Sequence, residues 1–198
     1  QDDKPTILLG CHYDSRIYAD RDEYSTVSGG VPGANDGASG VAVLLELIRS
    51  LPSDTVPLWM VFFDAEDNYG LDGWEGSVGS RIFVENLKTY PQSVVIVDMV
   101  GDSDLTLYYE INSDPLLSRD IWSTAKELNY HQFIPEVKYS IMDDHLPFLN
   151  VGIPSALIID FDFPYWHTLS DTKDKVSPES LAVVGNTLWT WITNHSTR

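Results

Sequence analysis

The chain predicts an α/β domain built on a largely parallel sheet. Short apolar runs that read as buried strands alternate with segments of helical period from end to end, the order expected of β-α-β units. The residues able to do chemistry gather just beyond those runs rather than inside them, as they do where an open α/β sheet binds its ligand.

The elements follow in order. "TILLGC" reads as a strand, and "GASGVAVLLELIRSL" as a helix capped near Asn35 and Asp36. "VPLWMVFF" is a second buried strand, "VGSRIFVENL" a helix, "SVVIVDMV" a central strand and "LTLYYEI" an edge strand. A helix over "PLLSRDIWSTAKEL" and a strand at "PSALII" precede the last helix. That helix begins at Ser177 with Pro178 in its first turn and sets Leu181, Val184, Leu188 and Ile192 on one face. The one long irregular segment, Arg16 to Gly33, is rich in Gly, Ser, Asp and Tyr, and loops of that length are usually functional or mobile.

The chain's 198 residues suit one domain with a substantial core. No apolar stretch approaches the length of a membrane span, and the opening residues "QDDKPT" show no signal-peptide pattern. The single cysteine, Cys11, excludes an internal disulfide framework. Thirty acidic against twelve basic residues give a formal charge of −18, which disfavours nucleic-acid phosphates and anionic membranes as partners and makes cations natural ones. A solvated acidic surface accounts for most of that charge without any site.

The stretch "WMVFFDAEDNYG" ends a greasy strand with Asp64, Glu66 and Asp67 in four positions. Carboxylates that close repel one another unless a cation, a shared proton or open water relieves them. His12 and Asp14 follow the first strand, Asp36 opens the first long helix, Asp98 closes the "SVVIV" run, and His167 follows the last strand after a short loop. Singly, Asp36 reads as a helix cap, Asp98 as a satisfied strand-end carboxylate and His12 as a core histidine. Together, two imidazoles and at least three carboxylates at one sheet edge have the ligand types of zinc, although the spacing lacks a compact signature such as H-E-x-x-H.

The motifs "ILLGCHYDSR", "PGANDGASGVAVLLELIR", "VFFDAED", "VVIVDMVGD", "DDHLPFLNVGIPSA" and "YWHTLSDTKDKV" resemble, in order and approximate spacing, the zinc aminopeptidase and glutaminyl cyclase superfamily, from near Ile7 to near Ile192. The fold this implies is a three-layer sandwich of the phosphorylase/zinc-hydrolase-like kind, a mostly parallel central sheet with helices on both faces. Relatives usually carry a further helix and a strand or two before the first motif, so residues 1–198 are expected to be a single catalytic domain lacking that portion. The resemblance also favours a secreted or periplasmic location and leaves the oligomeric state open.

Residue by residue, the resemblance implies that Asp36, Asp67 and His167 hold one Zn2+ ion, that His12 and Asp98 would serve a second where the site binds two rather than one, and that Asp14 orients the His12 ring. It implies Glu66 as the general acid or base, with Asp143, Asp98 and Trp166 also catalytic, and Phe163, Trp166 and Trp74 as an aromatic pocket for a small neutral side chain. The substrate would be a peptide or protein N-terminus. Two chemistries share the scaffold: hydrolysis of the first peptide bond, and cyclisation of N-terminal glutamine to pyroglutamate with release of ammonia. Asp143-Asp144-His145, where aminopeptidases have Ser-Asp-His, and Trp166, where they more often have tyrosine, favour the cyclase. "HTLSDTKDKV" is closer to the aminopeptidase pattern, and Val41 stands where animal cyclases place a cysteine to pair with the one at Cys11. A third reading is a non-catalytic binding module of the same fold, which intact ligands at His12, Asp36, Glu66, Asp67, Asp98 and His167 disfavour.

Overall fold

The computed structural model describes residues 6–22, 29–71 and 73–196, so the middle of the long irregular segment, 23–28, lies outside the described residues. Four strands, β1 (Ile7–His12), β2 (Leu58–Phe63), β3 (Ser93–Asp98) and β6 (Ser155–Ile159), form one wholly parallel sheet in the order β2-β1-β3-β6. Helices cover both faces, as expected for a three-layer sandwich. Ile7, Leu9, Val95 and Val97 point to one face, against α1 (Ala38–Ser50), α3 (Pro115–Glu127) and α5 (Pro178–Ser196). Leu8, Val94 and Ile96 point to the other, beside α2 (Val78–Glu85) and α4 (Leu146–Asn150). The strict alternation along β1 and β3 is the two-residue period of a strand buried on both sides, where each large apolar side chain contributes about 1.5–3 kcal/mol. Among the described residues, no helix is long and apolar enough to cross a membrane.

The chain passes from β1 through α1 to β2 on one side, then returns through α2 on the opposite face to β3 on the other side of β1. That reversal opens a crevice at the carboxyl ends of β1 and β3, where ligands of open α/β sheets bind. His12 and Asp98 are the last residues of those two strands.

Three details differ from the sequence reading. The edge strand β4 (Leu107–Glu110) pairs in parallel with β5 (Phe133–Tyr139), a strand the periodicity did not reveal because Pro135 interrupts it and its middle is exposed. This pair abuts β6, where Asp114 N–H donates to Ser155 O at 2.7 Å and Leu157 N–H to Ser113 Oγ at 3.0 Å. The five-residue α4 was also unforeseen. Finally, neither Asn35 nor Asp36 caps α1: Gly37 precedes it at φ 94° with no side-chain cap. Asn35 Oδ1 instead accepts Gly101 N–H at 2.7 Å, and the Asp36 carboxylate turns toward the histidines.

Candidate metal centre

Asp36 sits between two imidazoles. Its Oδ1 lies 3.3 Å from His12 Nε2 and its Oδ2 3.5 Å from His167 Nε2. His12 Nε2 also meets Asp98 Oδ1 at 3.1 Å, and His167 Nε2 meets Asp67 Oδ1 at 2.9 Å. Among the described residues, three groups have ligand atoms within 4.8 Å of one another: His12–Asp36–Asp98 and Asp36–Asp67–His167, which share one carboxylate, and His12–Glu66–Asp67 between them. Asp36, Asp67 and Asp98 are all buried, and Asp67 Oδ2 has no hydrogen-bond partner. An orphaned buried carboxylate oxygen beside imidazole nitrogens and further carboxylates is a donor set that fits a divalent cation such as zinc.

The main chains of Asp36 and Asp67 are held from behind. Asp14 accepts the N–H groups of Glu66 (3.1 Å) and Asp67 (3.2 Å), and its Oδ1 faces His12 Nδ1 at 3.4 Å, just outside hydrogen-bond geometry. Burial would raise the Asp14 carboxyl, but His12 and the two N–H groups hold it below the usual range. Asp171, fully buried, accepts Asn35 N–H at 2.8 Å and Asp36 N–H at 3.0 Å, which sets the Asp36 main chain. At the start of α2, the N–H groups of Ser77, Val78 and Gly79 donate to the carbonyls of Glu66, Ala65 and Asp64 at 3.0–3.1 Å. A side chain on Gly79 would stand 2.3 Å from Asp64 O, so only glycine permits that approach. Four non-glycine residues take positive φ around the site: Ala65 (58°), Ser77 (55°), Met99 (44°) and His167 (60°). Backbone held in that region persists only where its surroundings over-determine it, which is common at functional sites.

Glu66 is the acid beside these ligands that takes no part in the ion-pair pattern; its Oε1 accepts from Ser77 Oγ at 3.1 Å. Burial first, and the charge of Asp143 second, push its carboxyl well above the usual range. Burial also raises Asp143, lifts Asp98 to about 7, and with Asp143's charge lifts Asp144 to about 8. His12 is held well above an ordinary imidazole: burial opposes its charged form, but Asp98, Asp14 and Asp36 override it. The loop carrying Asp143 is pinned by Glu110, which accepts Ile141 N–H at 3.0 Å and meets His145 Nε2 at 3.1 Å. Burial alone would raise Glu110, yet these partners bring it down to about 2.

The acids open into a cleft of about 660 Å³ whose walls include Met99, Ile141, Leu146, Ile159, Phe161 and Trp166. Trp166 packs on Phe161 at 4.9 Å between ring centroids. Of the aromatic residues expected to form the pocket, Trp166 lines the cleft, whereas Phe163 and Trp74 do not. Phe163 is 1% exposed and packs in the core with Leu8, Ile96 and Phe148, while Trp74 is 57% exposed on the surface. Phe161, two residues earlier, takes the place expected of Phe163. The sequence reading also missed Asp171, Glu110, Arg16 and Asp20; Arg16 and Asp20 fell in the segment flagged only for its length.

Residues 1–192 match the sequence profile of peptidase family M28. The chain is 28% identical over 214 residues to the glutaminyl-peptide cyclotransferase-like protein of Mus musculus, covering 88% of this chain and 53% of that one. It therefore spans about half the length of the curated relatives it matches first. Among solved structures, a Zn-dependent exopeptidase from Parabacteroides distasonis superposes with a TM-score of 0.88 at 30% identity, covering 98% of this chain and 74% of that one. Porphyromonas gingivalis glutaminyl cyclase superposes with a TM-score of 0.87 at 31% identity, covering 98% and 75%.

Proposed function

The chain belongs to peptidase family M28, and from that premise we propose that it is a zinc-dependent enzyme that closes N-terminal glutamine of peptides into pyroglutamate. Asp36, Asp67 and His167 would hold one zinc ion, and His12 and Asp98, sharing Asp36, a second. Bound there, zinc supplies a Lewis acid against the carbonyl of the glutamine side chain.

The observation that carries the choice of reaction is that two carboxyls, half-buried Glu66 and buried Asp143, stand on the wall of one cleft. Cyclisation needs a group that removes a proton from the α-amino nitrogen as it attacks the side-chain carbonyl carbon, then gives that proton to the departing amide nitrogen. One C–N bond forms, one breaks, and ammonia leaves. Glu66, raised by burial and by the charge of Asp143, suits a group that must both take and return a proton. Asp143 adds a second carboxyl to the same cleft, where a serine would not. The apolar wall of Trp166, Phe161 and Ile159 suits a neutral side chain and excludes water, which would otherwise compete with the amine.

Amino-terminal hydrolysis is the second reading, favoured by the way Asp36 spans two complete ligand groups, since paired metal sites suit water activation. The likeness to a Zn-dependent exopeptidase supports it too. One assay decides. The zinc-loaded protein, given a peptide that begins with glutamine, should release ammonia and a pyroglutamyl peptide; a free amino acid and a shortened chain would replace cyclisation with hydrolysis. Asp143→Ser should slow ammonia release, and an unaffected rate removes the case for the cyclase.

A further inference from the structure

Asp67 and His167 lie 100 positions apart on separate loops, yet one short segment touches both. Arg16, only 6% exposed, donates from Nη1 to Asp67 O at 2.9 Å and to Tyr69 O at 2.7 Å. The other edge of its guanidinium grips Asp20, through Nε at 3.3 Å and through Nη2. Asp20 Oδ1 in turn stands 3.7 Å from Nδ1 of His167, the ring nitrogen turned away from Asp36 and Asp67. The next residues stitch the same loop. Arg21 N–H donates to His167 O at 3.2 Å, its guanidinium lies 3.6 Å above the centre of the Trp166 ring, and Asp22 Oδ2 accepts Leu169 N–H at 3.0 Å.

We infer that Arg16 is a positioning residue for the Asp36–Asp67–His167 centre: its guanidinium bolts down the Asp67 main chain on one side and, through Asp20, orients and polarises the His167 imidazole on the other. The chemistry of the fork explains why an arginine stands here. A planar guanidinium presents donors along two edges at once, so it can satisfy two carbonyls and a carboxylate in one plane, whereas a lysine ammonium is a point charge on a flexible stem. Asp20 stands beyond hydrogen-bond length from the far nitrogen of His167, so it acts by its charge, which favours positive character there and makes the near nitrogen a better donor.

This inference rests on the zinc reading of the site, and its test reads metal affinity rather than turnover. Zinc dissociation constants for wild type, Arg16→Lys and Asp20→Asn are measured by competition with a chromophoric chelator, together with the visible spectrum of the cobalt-substituted proteins and the unfolding midpoint in EDTA. Loss of such a supporting contact typically costs about 10- to 100-fold in metal affinity. Both variants should lose that much, lysine should not rescue arginine, and the cobalt spectra should shift. Asp20→Asn also weakens the ion pair with buried Arg16, so the cobalt spectrum, read on folded protein, separates metal positioning from any fall in the EDTA midpoint. Variants that hold zinc as tightly as wild type, with unchanged cobalt spectra, overturn the inference alone. A wild type that holds no zinc overturns the zinc reading and this inference with it.

Discussion

Replacing Asp14 with asparagine tests whether the site is assembled from behind. The Asp14 carboxylate accepts the N–H groups of Glu66 and Asp67 at 3.1 and 3.2 Å and faces His12 Nδ1 at 3.4 Å. An asparagine of the same shape has only one acceptor oxygen, so in either orientation its amide NH2 confronts at least one of these donors. Hydrogen bonds to charged groups contribute about 1.5–3 kcal/mol each. Asp14 keeps some solvent contact, so a loss of about 2 kcal/mol is the reasonable expectation, roughly 30-fold in an equilibrium constant. That loss falls on the relative placement of His12, Glu66 and Asp67. A fall in zinc affinity measured by chelator competition and a destabilisation measured by urea unfolding in EDTA should therefore together come to about 2 kcal/mol, so that affinity falls by up to about 30-fold. An affinity within about threefold of wild type, with an unmoved urea midpoint, would refute the idea that Asp14 organises the centre.

Further outcomes are expected. Glu66→Gln should keep zinc and lose about 10²–10⁴-fold in turnover; near-normal turnover in a steady-state assay would remove Glu66 from proton transfer. In EDTA, stability should fall as pH rises from about 4 to about 8: Asp160 (about 6), Asp98 (about 7) and Asp144 (about 8) keep protons in the fold that the unfolded chain releases above about 4, so the folded state binds more protons throughout that window. Urea midpoints should be higher at pH 5 than at pH 8, and the reverse order would contradict the burial of these acids. Gly40→Ala should destabilise by about 1–3 kcal/mol, because its Cβ would stand 2.4 Å from Val97 O and force α1 off the sheet. Thermal unfolding reads this as a midpoint several degrees lower, and an unchanged midpoint would show that the helix can yield.

The amino-acid sequence by itself determined the sheet and the chemical character of its edge. β1, β3 and β6 are apolar runs with one stable destination, the middle of a layered core, and runs of that kind announce themselves locally. In a parallel sheet every strand's carboxyl end emerges at the same edge, so His12, Asp14, Asp36, Glu66, Asp67, Asp98 and His167 could be gathered from order alone. Tertiary structure decided which way each side chain faces and what supports it. Asp171 reaches back 135 residues to the Asp36 N–H and Arg16 reaches 51 residues forward to Asp67 O, pairings that no local pattern encodes. Whether Phe161 or Phe163 meets the cleft, and whether Asp36 caps a helix or spans two histidines, depends on backbone turns with no fixed period, including a positive φ at His167. Hydrophobic periodicity is a local signal because burial acts on each residue alone, whereas the geometry of a site depends on distances between residues, which exist only once the chain has closed on itself.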